Sequence, residues 1–131
     1  MNIFKTKGFD TVIGQGVKIT GQVSVTNGSV MVIDSGAIVA GDIFQKDTNV
    51  VDNTVLEVHG EATGPMIHVS NITITGTVTT NRIWVEGTLA LKSGAALNAA
   101  EIYYRNLVIE PGALVHGTML HLDHSSKGEQ V

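Results

Sequence analysis

The side chains in this sequence best suited to chemistry are its histidines, because imidazole transfers protons near neutral pH and binds transition metals. They are His59, His68, His116, His121 and His124. His121 and His124, with Asp123 between them, have the composition of a metal site. Zinc ligands must be held in fixed geometry, and these three residues follow the end of the regular pattern described below. We therefore predict no metal and no cofactor.

Catalysis by a nucleophile and binding of nucleotides have recognisable patterns, and we find neither. No serine, histidine and aspartate arrangement and no glycine-rich phosphate loop leading into a helix can be recognised. His59 and His116 each precede a glycine, at a place typical of outward, solvent-facing side chains. Trp84, between Ile83 and Val85, is predicted to point outward and to stack on a neighbouring turn. The sequence therefore predicts a protein that is not an enzyme.

A repeat of short strands must position all of these side chains. Apolar residues two positions apart recur every six residues, in the pairs Ile83/Val85, Leu89/Leu91, Ala95/Leu97, Glu101/Tyr103, Leu107/Ile109 and Ala113/Val115. Because side chains alternate across a strand, each pair is a minimal strand with one buried face. Glu101 breaks the pattern, and its neighbour Ile102 is the candidate for that inward place.

The sequence also repeats over a longer period of eighteen residues, which comprises three of the six-residue units. The segment 90–99 matches 108–117, eighteen residues further on, and 32–41 has the same pattern. Three strands per eighteen-residue turn, stacked along an axis, define a β-solenoid. The early copy precedes the middle one by fifty-eight residues, three eighteens plus four, and Gln45–Thr54 is the predicted place of the four extra residues. We predict an all-β, parallel β-helix of about six turns.

Composition limits the class of protein. A chain of 131 residues, 43% hydrophobic and 15% charged, is too apolar for a disordered protein and fits one domain. A net charge of −4 argues against a nucleic-acid partner. With no cysteine the chain forms no disulfide, which permits a reducing compartment.

Three regions follow from the pattern. Residues 1–10 are predicted to be a flexible tail, 11–121 the β-helix, and 122–131 a disordered tail. The first tail contains Ile3, Phe4, Lys5 and Lys7, which form a candidate membrane-binding peptide. In that interpretation the apolar side chains enter the membrane interface and the lysines meet anionic headgroups. The alternative is an ordinary frayed terminus.

Two stretches resemble bactofilins, the polymer-forming bacterial cytoskeletal proteins. Thr11–Gly21 (TVIGQGVKITG) resembles their opening motif, and Leu107–Gly117 (LVIEPGALVHG) is similar to their closing motif. The resemblance implies a right-handed, three-sided β-helix that assembles end to end into non-polar filaments without nucleotide. It also implies membrane binding through the N-terminal peptide, a cytoplasmic location at the inner face of the cytoplasmic membrane, and recruited cell-envelope proteins as partners. The family often carries an aromatic residue where this chain has Val115.

The two ends of the coil are the predicted polymer interface. Each end presents unpaired backbone groups and uncovered apolar side chains, and the sequence contains no amphipathic helix to cap them. The predicted interface residues are Val12, Ile13 and Val17 at the front and Leu114, Val115, Met119 and Leu120 at the back. Copies that stack like on like make two isologous contacts, which propagate into a filament.

Two other functions stay open at this point. A left-handed β-helix acyltransferase also has eighteen-residue turns, but its hexapeptide repeat needs a small residue after the inward aliphatic one. That place is occupied here by Glu86, Lys92, Asn98, Tyr104, Glu110 and His116. The other alternative is a monomeric β-solenoid that binds a glycan or a partner along its flank through Trp84, Tyr103 and Tyr104.

Overall fold

The structure is a computed structural model that describes residues 11–46 and 53–122. Within these ranges the chain forms β-strands and no helix. The strands are β1 (Thr11–Ile13), β2 (Lys18–Thr20), β3 (Val23–Val25), β4 (Val30–Ile33), β5 (Ile38–Ala40), β6 (Ile43–Gln45), β7 (Val55–Val58), β8 (Glu61–Val69), β9 (Ile72–Ile74), β10 (Thr77–Val85), β11 (Thr88–Leu91), β12 (Ala96–Tyr104), β13 (Asn106–Ile109) and β14 (Leu114–His121).

The described strands stack into a coil of about six turns. One ladder has the order β13-β11-β9-β7-β4-β1, and a second has the order β14-β12-β10-β8-β5-β2. Strand β3 pairs with β6, and β6 pairs in turn with the second half of β8. All of these pairings are parallel and join strands of successive turns. The predicted all-β, parallel β-solenoid is therefore confirmed, whereas its right-handed coil and three-sided section stay predictions.

The length of a turn varies along the coil. Leu91 pairs with Ile109, eighteen residues on, as the repeat predicts. Ile33 pairs with Val58, twenty-five residues further on. Val58 pairs with Ile74 after sixteen residues, and Ile74 pairs with Leu91 after seventeen. The extra residues fall in the turn that contains Gln45–Thr54, as predicted, although 47–52 lie outside the described residues. The predicted number of four is wrong, because that turn is seven residues longer than eighteen and the next two are shorter.

The core consists of columns of apolar side chains that stack along the coil axis. Ile67, Ile83 and Ile102 are paired in register and almost fully buried. Burying an isoleucine side chain stabilises a fold by about 1.5–3 kcal/mol, so each column adds to stability at every turn. Ile102 therefore takes the inward place, as predicted. The pairing of Glu101 and Tyr103 as inward residues is wrong, since Tyr103 pairs in register with the outward residue Trp84.

Glycines at one corner of the coil bring successive turns close together. Gly41 has a φ of 152°, and a Cβ built on it would overlap the carbonyl oxygen of Gly21. Gly117 has a φ of 139°, and a Cβ built on it would likewise overlap the carbonyl oxygen of Ala99. At these two positions the backbone angle and the close approach both require glycine.

Candidate functional site

The last turn of the coil leaves part of the apolar core uncovered. Leu91 is 0% exposed, whereas its ladder neighbour Ile109 in β13 is 45% exposed. Leu97 is likewise 0% exposed, whereas its neighbour Val115 in β14 is only partly buried. The exposure follows from position, because no described strand lies beyond β13 or β14 in the ladders. The end of the coil is therefore an apolar surface.

The predicted interface residues at this end lie at its surface or edge. Leu114 is 60% exposed, and Val115 and Met119 are partly buried against the end of the core. Leu120 is half-buried and lies beside Tyr103 in register. Ile109 is not among the predicted interface residues, although its place eighteen residues after Leu91 puts it in the same inward column and therefore at the open end.

The first turn is less open. Val12 and Val17, both predicted interface residues, are exposed. Ile13, the third, is 6% exposed and belongs to the core, and Val25 in β3 is 1% exposed. Among the described residues, the inward side chains are thus better enclosed at the front end than at the back end.

Edge strands add hydrogen-bonding groups to both ends. In the ladder of six strands β1 and β13 are the outermost, and in the second ladder β2 and β14 are. An edge strand presents unpaired N–H and C=O groups to one side, which is a template for pairing with another chain. Among the described residues, the two ends therefore combine apolar side chains with the outer edges of terminal strands.

A row of mostly aromatic side chains runs along one flank. Phe44, His68, Trp84, Tyr103 and Leu120 are paired in register across five turns. The rings of Trp84 and Tyr103 stack with centroids 4.5 Å apart and an angle of 27°, and His68 lies 5.8 Å from Trp84. The predicted outward direction and stacking of Trp84 are confirmed. We call these five residues the aromatic row.

Charged groups line the aromatic row. The indole Nε1 of Trp84 donates a hydrogen bond to Glu86 Oε2 at 2.5 Å, and Glu86 Oε2 lies 4.0 Å from His68 Nε2. Burial lowers the pKa of His68 below its ordinary value, and the nearby carboxylate of Glu86 opposes that change in part. Arg82 donates from Nε to Glu101 Oε1 at 2.8 Å.

The aromatic residues do not form one flat platform for a glycan. A sugar ring would need an open aromatic face, but Trp84 has Tyr103 against one side and His68 near the other. Tyr104, the third aromatic residue of that alternative, packs against the core and lies 5.5 Å from the ring of His121. The stacking of these rings joins successive turns of the coil.

A cluster of Glu57, His59 and Thr75 links two successive turns and has the composition of a catalytic triad. His59 lies 2.6 Å from Thr75 Oγ1 through Nδ1 and 3.1 Å from Glu57 Oε1 through Nε2. Acyl transfer also needs free N–H groups to stabilise an oxyanion. The N–H groups of the adjacent Gly60 and Gly76 both donate to carbonyl groups of the preceding turn. His59, predicted to be simply solvent-facing, is thus half-buried and holds two turns together. His116 is exposed as predicted.

Other predicted site residues fall outside the part of the chain that the structure describes. These are Ile3, Phe4, Lys5 and Lys7 of the membrane-binding peptide, and Asp123 and His124 of the weighed metal cluster. Within residues 11–46 and 53–122, no group of three histidine, cysteine or acidic side chains is placed to hold a metal ion. The same residues include no helix long and apolar enough to cross a bilayer.

A cavity of about 290 Å³ opens on the flank beside the aromatic row. It is lined by Gln22, Asp42, Ile43, Phe44, Met66 and His68. Asp42 Oδ1 is enclosed and accepts no hydrogen bond from any residue that the structure describes. An enclosed acceptor without a donor costs about 1–3 kcal/mol, so this one oxygen of the carboxylate is under-satisfied. No pattern in the sequence indicates this cavity, because its residues come from three successive turns.

The described residues together define a parallel β-solenoid, a class of repeat protein in which each turn contacts only its neighbours. Residues 11–120 match the family model of the bactofilins, which are described as polymer-forming cytoskeletal proteins. The chain belongs to the bactofilin family. Comparisons with curated proteins and with solved structures gave no match.

Membership in this family bears on the alternatives. The match begins at Thr11 and ends at Leu120, which are close to the limits of the two motifs that carried the resemblance. The family is a structural, polymer-forming one, consistent with the prediction of a protein that is not an enzyme. It therefore favours a cytoskeletal scaffold over an acyltransferase or a monomeric binding module.

Proposed function

We propose that this chain is a non-enzymatic scaffold whose copies assemble end to end into filaments. The observation that carries the proposal is the contrast between Leu91, 0% exposed, and its ladder neighbour Ile109, 45% exposed. A further turn of a second copy would cover Ile109 as β13 covers Leu91. Such a contact buries apolar area and pairs edge strands, both of which favour association.

The last turn is the principal contact in this proposal. Leu114, Val115 and Ile109 supply apolar surface there, whereas the first turn exposes Val12 and Val17 but encloses Ile13. Each end contacts the same end of another copy, so both contacts are isologous and the filament has no polarity. Because burial and strand pairing supply the free energy, assembly needs no nucleotide.

The N-terminal segment attaches the filament to membrane in the same proposal. Ile3 and Phe4 enter the interface and Lys5 and Lys7 meet anionic headgroups. One short segment binds weakly, but many copies on one polymer bind by avidity. The filament then lies in the cytoplasm at the inner face of the cytoplasmic membrane, where it recruits cell-envelope proteins.

Negative-stain electron microscopy of the purified chain without nucleotide tests the proposal. We expect filaments, with each six-turn subunit adding roughly 29 Å at 4.8 Å per turn. Discrete trimers would instead support the acyltransferase, and small uniform particles the monomeric solenoid. Either result would overturn the scaffold proposal.

A further inference from the structure

The flank cavity has the features of a site for a cation on an apolar stem. Its wall combines the apolar side chains of Ile43, Phe44 and Met66 with the carboxylate of Asp42. Phe44 is 37% exposed, so its ring is accessible from the cavity mouth. Asp42 Oδ1 is enclosed and has no donor among the described residues, so this oxygen lacks the hydrogen bond that buried acceptors usually have. An ammonium group brought to this carboxylate would donate the missing hydrogen bond and would also supply a positive charge.

We propose that Gln22, Asp42, Phe44 and Met66 form a binding pocket for a lysine side chain presented by a peptide segment of a partner protein. A lysine has a four-carbon apolar stem that packs on Phe44 and Met66, and a compact ammonium group that reaches Asp42. An ammonium beside the Phe44 ring also gains cation–π attraction. Gln22 is exposed at the cavity mouth, where its amide oxygen accepts a hydrogen bond from the same ammonium.

The charges around the cavity fit a cationic ligand. His68, which also lines it, has its pKa lowered by burial and is therefore largely neutral at pH 7.5, so it does not repel an ammonium. The chain has a net charge of −4, which favours basic over acidic partners. Charge complementarity thus selects a lysine-bearing peptide as the occupant.

The location of the cavity suits recruitment by a filament. Its lining residues come from the first three turns, with Gln22 on the first, so the back-to-back contact through Ile109 and Leu114 leaves it open. Each subunit of a filament then presents one pocket, and a partner with several lysine segments binds along it by avidity. Only this last step rests on the proposed function, since binding of a single peptide needs one subunit.

Equilibrium dialysis of the full-length chain at pH 7.5 tests the pocket with a fluorescein-labelled peptide Gly-Ala-Lys-Ala-Gly. The matched probe has norleucine in place of lysine, with the same stem and no charge. We expect the lysine peptide to bind at least tenfold more tightly. Asp42→Asn should abolish that preference, whereas Asp34→Asn, which removes an exposed carboxylate outside the cavity, should leave it unchanged.

A second variant keeps the test informative if Asp42→Asn fails to fold. Gln22→Lys places a competing ammonium at the mouth of the cavity and leaves Asp42 in place, and we expect it to block the lysine peptide. Equal binding of the two probes, or no binding of either, would overturn the proposal. Binding that appears only after Lys5 and Lys7 are both changed to methionine would assign the cavity to the chain's own segment instead of a partner. Electron microscopy of the same samples shows whether filaments form, so that a failure of the pocket is distinguished from a failure of the proposed assembly.

Discussion

Trp84 and Tyr103 lie nineteen residues apart in sequence, yet their rings stack with centroids 4.5 Å apart on the outer surface of the coil. Each belongs to a long strand, β10 or β12, and the register of those strands places one ring directly beside the other. The stack therefore couples two turns from outside, while Ile83 and Ile102 couple them from inside.

We expect this stack to contribute measurably to stability. An aromatic pair contributes about 0.5–1.5 kcal/mol beyond the area that it buries. A double-mutant cycle with Trp84→Ala and Tyr103→Ala, followed by urea unfolding, should give a coupling free energy in that range. Tyr103→Phe is the control, since it keeps the ring and removes only the hydroxyl group. A coupling near zero would show that the two rings contribute independently.

The corner glycines should be sensitive to a single added carbon. Gly41→Ala forces a left-handed backbone angle on alanine and drives Cβ into the carbonyl oxygen of Gly21. The backbone angle alone costs about 1–2 kcal/mol, and the overlap adds to it. Thermal unfolding should show that the free energy of unfolding falls by more than about 2 kcal/mol.

Gly14→Ala is the matched control, because no atom lies within 4 Å of its Cβ position, and it should cost less than about 1 kcal/mol. Equal effects of the two changes would contradict the close approach of the corners.

A charge at the open end should stop assembly without unfolding the chain. Ile109→Arg and Val115→Arg each place a guanidinium in the proposed contact, where a buried unpaired charge is costly. Sedimentation should then show short, folded species in place of filaments. Thr79→Arg, at an exposed position in the middle of β10, is the control and should leave filaments intact. Filaments of normal length from Ile109→Arg would remove the last turn from the interface.

His68 should titrate below its ordinary pKa of 6.5, because burial disfavours the imidazolium form. The unfolded chain binds the proton more readily than the folded chain, so this histidine's contribution to stability is complete above pH 6.5. That contribution is lost as the pH falls through 6.5 toward the lower pKa of the folded state. NMR titration of the ring measures the pKa directly. Glu86→Gln should lower it further, since the carboxylate favours the charged form. A midpoint at or above 6.5 would contradict the burial of His68.

Membrane attachment should depend on the two lysines of the N-terminal segment. Each lysine near an anionic surface contributes about 1 kcal/mol. Lys5→Glu combined with Lys7→Glu should therefore lower co-sedimentation with anionic liposomes by at least about 30-fold in partition coefficient. Deleting Met1–Lys7 should have the same effect and leave filaments visible by electron microscopy. Liposome binding that survives both changes would reject the anchor.

The repeat was readable from sequence where the turns keep an even length. Leu91 and Ile109 are eighteen residues apart and occupy one inward column, as their spacing predicts. Tyr103 was misplaced because the alternation within β12 breaks between the inward residues Ala99 and Ile102, which lie three positions apart, and a fixed period does not locate such a break.

The functional surfaces were harder to predict because they combine residues from unequal turns. His68 lies sixteen residues before Trp84, whereas Tyr103 lies nineteen residues after it, so no fixed period reveals the aromatic row. The cavity around Asp42 depends on side-chain packing across three turns, which the order of residues does not encode. At the ends, the spacing identified Leu114 but did not show that Ile13 is enclosed.

The unlike ends of the coil bear on how the proposed filaments would break. If copies meet back to back and front to front, strong junctions lined by Ile109 and Leu114 alternate with weaker ones at Val12 and Val17. Mechanical shear would then cut at every second junction and release fragments with even numbers of subunits. A polymer of this kind grows and fragments in pairs, so that its smallest stable piece is a dimer.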